Sequence, residues 1–164
     1  MNDWQHDKRW SDRFIPEIRG IVARHLILEA PLEEDQQRNT DLIVLRSSAV
    51  RIACRVRRAQ YAERYGDEFT IRTRRLYGAK TELAKVLEGW GDALFYGFAG
   101  DEGLTRWLLG DLDVFRHWYA AELQRLPAGC PPGLEQTNGD ASSQFMAFKL
   151  AWLPREFTIA CSAN

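Results

Sequence analysis

Arginine recurs at alternate positions on two strand-like stretches of this chain. Arg51, Arg55 and Arg57, with Ala53 between them, share one parity in Val50–Arg58; Arg72 and Arg74 share one in Phe69–Arg74. Successive side chains of an extended chain point to opposite faces, so each set faces one way, like-facing positions lying about 7 Å apart. That spacing approaches the phosphate spacing of a nucleic-acid strand, and a guanidinium suits two-pronged phosphate contact. Lys80 continues the basic run. The competing account is a solvated sheet face whose charges are offset by Glu29, Glu33, Glu34 and Asp35. Upstream, a lone acid, Asp41, opens the apolar run Leu42–Leu45. An Asp at a strand start either bonds nearby backbone N–H groups in a turn or serves as a metal ligand. Tyr61, Tyr65 and Tyr77 supply rings for base stacking, or for packing at sheet ends.

Charge is distributed unevenly. The 164 residues carry a formal net charge of −1, so the whole-chain field gives no reason for general polyanion binding. Between Arg51 and Lys85, however, ten basic residues stand against four acidic ones. A local patch is therefore the relevant quantity.

The elements that must position these groups follow from periodicity. Ser11 or Asp12 is placed to cap a helix carrying Phe14, Ile18, Ile21, Val22 and His25 on one face, with Pro16 in its first turn. Glu17 falls on the opposite, solvated face. Leu42–Leu45 reads as a strand covered on both sides. The short connection 46–49 favours an antiparallel hairpin to Val50–Arg58, with the Phe69–Arg74 strand as a further neighbour. A helix is predicted from about Lys80 to Glu88, ended by Gly89. Asp92–Phe98 is apolar at both parities and belongs in the centre of a sheet. Leu104–Leu112 suits strand or helix. Asp113–Leu126 reads as a helix with Val114, Phe115, Trp118 and Ala121 inward. A long breaker-rich loop, Pro127–Ser143, precedes an edge strand within Gln144–Trp152 and a last strand at Thr158–Cys161. The expectation is one domain over 1–164: a core at about 12–98, then a C-terminal helix, loop and edge strands over 99–164.

In this order the elements resemble the α-β-β-β-α-β core of the PD-(D/E)XK nuclease superfamily, to which Holliday junction resolvases and many restriction enzymes belong. The fold class expected is α/β or α+β, a mixed sheet flanked by helices. In that family a carboxylate begins one strand, a Glu-x-Lys lies on the next, and a helical Glu often completes a magnesium site. The resemblance implies Asp41 as the first carboxylate and Glu17 as the helical acid, both ligating Mg2+. The Glu-x-Lys slot falls at Ala53-Cys54-Arg55, so Arg55 takes the lysine position and Ala53 supplies no ligand. Glu82, on the following helix with Glu88 behind it, is the candidate for a displaced catalytic carboxylate. Two Glu-x-Lys side chains would share a face and reach one metal-bound water; a guanidinium there binds phosphate but carries protons poorly.

Two function classes follow. One is a nucleic-acid-binding protein, DNA before RNA, with Mg-dependent phosphodiester hydrolysis through Asp41, Arg55 and Glu82 and nucleic acid held by Arg51, Arg55, Arg57, Arg72, Arg74 and Lys80. The other is the same scaffold without catalysis, a nucleic-acid-binding or protein-binding accessory or inhibitor module in the style of phage or mobile-element proteins. A homodimer and a protein partner are both compatible. Cys54, Cys130 and Cys161 form no CxxC pair and are expected as buried or semi-buried thiols; the three histidines lack metal-ligand spacing. There is no P-loop, GxGxxG or GxSxG, and no apolar run of membrane-spanning length, so a cytoplasmic, soluble protein is expected.

Overall fold

The computed structural model describes residues 4–29, 42–44, 50–75, 80–137 and 143–162. Ser11 and Asp12 do not cap the helix that carries the apolar stripe. They close a separate first helix, α1 (Trp4–Asp12), and the Phe14 amide donates to the Ser11 carbonyl at 3.2 Å across the break. The stripe lies on α2 (Ile15–Leu26), with Phe14, Ile18, Ile21 and Val22 buried as expected. A two-stranded antiparallel pair follows, β1 (Ile27–Glu29) with β2 (Leu42–Val44).

The arginine-bearing strands part company. β3 (Ile52–Arg58) runs parallel to a later strand, so its exit needs a crossover, not a hairpin. That crossover begins with a short 3-10 turn and α3 (Ala62–Tyr65). It continues through β4 (Glu68–Arg75) and α4 (Glu82–Leu87), and returns as β5 (Ala93–Gly100). α4 is capped by Thr81, whose hydroxyl accepts from the Ala84 amide at 3.3 Å, and stops before Gly89, held at φ 91°. β6 (Gly103–Asp111) folds back on β5. α5 (Leu112–Arg125) starts at Asp111, whose carboxylate accepts from the Asp113 and Val114 amides at 2.7 and 3.1 Å. β7 (Leu134–Thr137), β8 (Ser143–Lys149) and β9 (Thr158–Cys161) complete the order.

The class is mixed α+β. One sheet is mixed, in the order β3-β5-β6-β9; the other is antiparallel, β4-β8-β7. Among the described residues β2 pairs with β1 and not with β3, and β3 and β4 lie in different sheets. Both differ from the expectation of a β2–β3 hairpin and neighbouring arginine strands. The segment after β3 is taken up by the 3-10 turn and α3, which carry the chain out of the first sheet. β8 is not an edge strand either. It is central in its sheet, which is why three successive residues, Met146, Ala147 and Phe148, are buried.

β5 is buried at both parities, as expected, and it divides the core. Leu94, Tyr96 and Phe98 join Leu108, Phe69, Phe115, Phe148 and Phe157 between the two sheets and α5. Ala93, Phe95 and Ala99 face α2 on the other side, with Ile52, Val56 and Leu104 completing that cluster. On α5 the buried positions are Leu112, Phe115 and Tyr119; Ala121 is exposed. The chain after residue 99 thus supplies β6 and β9, on the side of β5 away from β3, and the buried rings of Phe115, Tyr119, Phe148 and Phe157. All three cysteines are free and exposed, contrary to the expectation of buried or semi-buried thiols. No helix among the described residues is long and apolar enough to cross a membrane.

Candidate functional site

Alternation on β3 sends Ile52 and Val56 toward α2, and therefore sends Arg55 and Arg57 to the opposite face, over which β4 and α4 pass. Among the described residues β3 pairs on one side only, with β5. Its other edge borders a cleft of about 460 Å³. Arg55, Arg57, Arg72 and Glu82 line the cleft on one flank of the strand. Cys54, Val56, Arg58 and Trp10 line it on the other, where α1 lies. Five basic side chains (Lys8, Arg55, Arg57, Arg58, Arg72) and two acidic ones (Asp7, Glu82) face this space.

Each arginine is held by specific contacts. The Arg55 Nη1 donates to the Thr70 carbonyl at 3.1 Å and to Glu82 Oε2 at 3.0 Å. The same carboxylate oxygen accepts the Arg72 amide at 3.1 Å. Glu82 therefore joins β3, β4 and α4 at one point. The Arg57 guanidinium lies over the Tyr61 and Tyr65 rings, 4.9 and 5.4 Å from their centroids, and its Nη1 donates to the Tyr96 hydroxyl at 3.4 Å. That hydroxyl also shares a 3.1 Å hydrogen bond with Thr70 Oγ1 inside the core. Arg58 stacks on Trp10 at 4.8 Å, and Lys8 pairs with Asp12. A guanidinium stacked by its face on a ring keeps its N–H edges available, which is the geometry that suits phosphate oxygens.

The structure brings together only part of the set drawn from sequence. Arg55, Arg57, Arg72 and Glu82 share the cleft. Arg51 stands just before β3, outside it, its amide donating to Asp92 Oδ2 at 2.7 Å. Arg74 is separated from Arg72 by a register irregularity in the β4–β8 ladder, which breaks the alternation that would have aligned them; it too is outside the cleft. Lys80 is paired with Glu88 at 2.6 Å. Asp41 and Tyr77 lie outside the described residues.

Glu17 is exposed, but not a bare surface acid. Its carboxylate accepts the Leu104 amide at 3.2 and 3.3 Å, and Gly103 at φ 129° lets the β5–β6 turn approach it. It sits on α2, so the four-stranded sheet stands between it and the Arg55–Glu82 pair. Glu17 and Glu82 therefore do not meet in one magnesium site, and no group of three carboxylate, histidine or cysteine side chains gathers among the described residues. Glu17 and Glu82 alone do not form a metal site, and Asp41, the first ligand implied by the resemblance, lies outside the described residues.

Arg58, Lys8 and Trp10 were missed. Alternation sends Arg58 away from Arg55 and Arg57, and a sequence does not say that a cleft wraps round a strand's edge. Trp10 within Arg9-Trp10 followed by Arg13 was the available signal: Arg13 also lies over Trp10, at 5.5 Å. The chain matches no protein-family model, no curated protein and no solved structure.

Proposed function

We propose that the chain is a nucleic-acid-binding protein, DNA before RNA, which takes a phosphodiester strand in the cleft at the edge of β3. The observation that carries this reading is the convergence of Arg55, Arg57, Arg58, Arg72 and Lys8 on one cleft, two of the guanidiniums lying on aromatic faces. Phosphates supply the binding energy through released counterions, so a net charge of −1 is no obstacle when the contact is local. The pairing of Arg55 with Glu82 fixes one guanidinium before a ligand arrives, which reduces the ordering cost of binding.

Binding is the conclusion; hydrolysis is not assigned. Glu82 is engaged by Arg55 and the Arg72 amide, Glu17 is on the other face of the sheet, and the restriction-endonuclease-like reading rests on Asp41 and element order. This favours a non-catalytic, accessory role.

The test is fluorescence anisotropy with labelled single-stranded and duplex DNA over a salt series. The affinity is expected to fall with salt at a log–log slope of about −2.8 to −3.5 on single strands and about −3.6 to −4.5 on duplex, matching four or five phosphate contacts. Absent or salt-insensitive binding would remove the proposal and leave an acidic protein surface as the partner of the arginines. A parallel Mg2+ cleavage panel on the natural chain and on Asp41→Ala reads hydrolysis separately. Cleavage lost in the variant would restore a catalytic role to Asp41.

A further inference from the structure

A second cavity lies behind the arginine cleft, between the four-stranded sheet and the start of β4. Its volume is about 130 Å³. Cross-strand pairing sets Phe98 beside Arg106 and Tyr96 beside Leu108, so these four side chains share the face of the sheet that forms its floor. Gly66, Glu68, Trp107, Leu150, Cys161 and Ser162 complete its lining. The Arg106 guanidinium lies against Gly66 so closely that a Cβ there would meet its Cζ at 2.8 Å.

Glu68 is the anomaly. It is only 8% exposed, and its Oε1 is buried with no hydrogen-bond partner. A buried carboxylate oxygen without a donor is costly, and in a folded protein such an atom calls for a bound partner or a functional reason. Arg106 lines the same cavity yet does not satisfy Oε1. The cavity is thus lined by one acid and one base with no hydrogen bond joining them at Oε1, while the charges of Lys149 and Arg57 reach Glu68 from outside its lining. A simple cation entering it meets Arg106, and a simple anion meets Glu68. A molecule carrying both charges satisfies both walls, and its short carbon spacer fits the apolar floor of Tyr96, Phe98 and Leu108.

We infer that this cavity binds a small zwitterion of amino-acid size, its ammonium donating to Glu68 and its anionic group accepting from Arg106. Its lining is distinct from that of the nucleic-acid cleft, and Arg57 connects the two: its Nη1 donates to the Tyr96 hydroxyl and its charge reaches Glu68.

Titration calorimetry on the full chain tests it, with glycine, β-alanine and γ-aminobutyrate as zwitterions of rising length. Propylammonium and propionate serve as single-charge controls. One zwitterion length is expected to bind saturably, at least tenfold tighter than either control. Glu68→Gln, which keeps shape and removes charge, and Arg106→Met, which keeps the apolar stem, are each expected to weaken it at least tenfold. Circular dichroism and the melting temperature check that the variants fold. Should either lose its fold, Cys161→Phe, at an exposed position beside the cavity, supplies the second reading: it is expected to block binding by filling the space. Three results overturn the inference. They are no saturable binding by any zwitterion, controls that bind as well as the zwitterion, and binding that survives Glu68→Gln or Cys161→Phe unchanged.

Discussion

The space between the two sheets and the cleft at the edge of β3 share one strand, β4, which sends Phe69 and Ile71 into the first and Arg72 into the second, and they are held in opposite ways. Between the sheets, Phe69, Phe115, Phe148 and Phe157 are 0–1% exposed, and their ring centroids approach to between 5.0 and 6.4 Å. That region is held by area and fit, which are non-directional and large. In the cleft, Arg55 keeps 30% of its side chain exposed and Glu82 41%, so their contact is directional and small in free energy. The difference teaches where change is tolerated. Altering the first region alters the fold; altering the second alters what the surface can hold while the fold stays.

The strongest blow to that contrast is Phe148→Ala. Its ring meets Phe69, Phe115, Trp118 and Tyr119, so truncation leaves a cavity and is expected to cost about 3–5 kcal/mol in urea unfolding. A cost under about 1 kcal/mol would mean that the aromatic layer does not hold the sheets together. Next comes Gly110→Ala on β6, where a Cβ would collide with the Phe157 ring. Forced displacement of a packed aromatic is expected to cost about 1–3 kcal/mol by the same measurement.

Glu68 sharpens the comparison because it is a polar group placed on the buried side. Burial, with Asp67 adding to it, pushes its carboxyl above the usual range, while Lys149 and Arg57 pull the other way. Between the ordinary glutamate value and that raised one, the folded chain holds a proton that the unfolded chain has released. Stability is therefore expected to fall as pH rises through this window and to level off above it, with a slope of at most about 1.4 kcal/mol per pH unit. Denaturation curves across pH on the natural chain and on Glu68→Gln decide the point; a slope that persists in the variant belongs to another group.

The smallest expected stability effect is at the cleft. Arg58 is exposed and stacked on Trp10, so Arg58→Ala is expected to change stability by less than about 0.5 kcal/mol. The same variant is expected to reduce the salt slope of DNA binding by about 0.7–0.9, one phosphate contact. A large loss of stability with an unchanged slope would erase the distinction between the two regions.

Local chemistry was legible from residue order where a pattern was strong. The stripe on α2, the doubly buried β5, the helix after Asp111 and the last strand Thr158–Cys161 all follow from periodicity and breaker residues, because burial of one face or both dictates which residues can stand there. The same alternation named Arg55, Arg57 and Arg72. It failed at Arg74, since a one-residue irregularity in pairing leaves no mark in composition. It failed equally at Arg58 and Lys8, which reach the cleft only because α1 lies along one side of an edge strand.

What the sequence determined by itself, then, is which residues are apolar enough to be buried and which stretches alternate, for those depend on each residue and its near neighbours. Only the tertiary structure decided that β3 lies parallel to β5 and apart from β4, that Glu17 and Glu82 stand on opposite sides of a sheet, and that Glu68 Oε1 is enclosed without a hydrogen-bond donor. Those outcomes depend on how distant segments pair and which faces they cover. Strand partners far apart along the chain are selected by the packing of the whole core, a property no local pattern encodes.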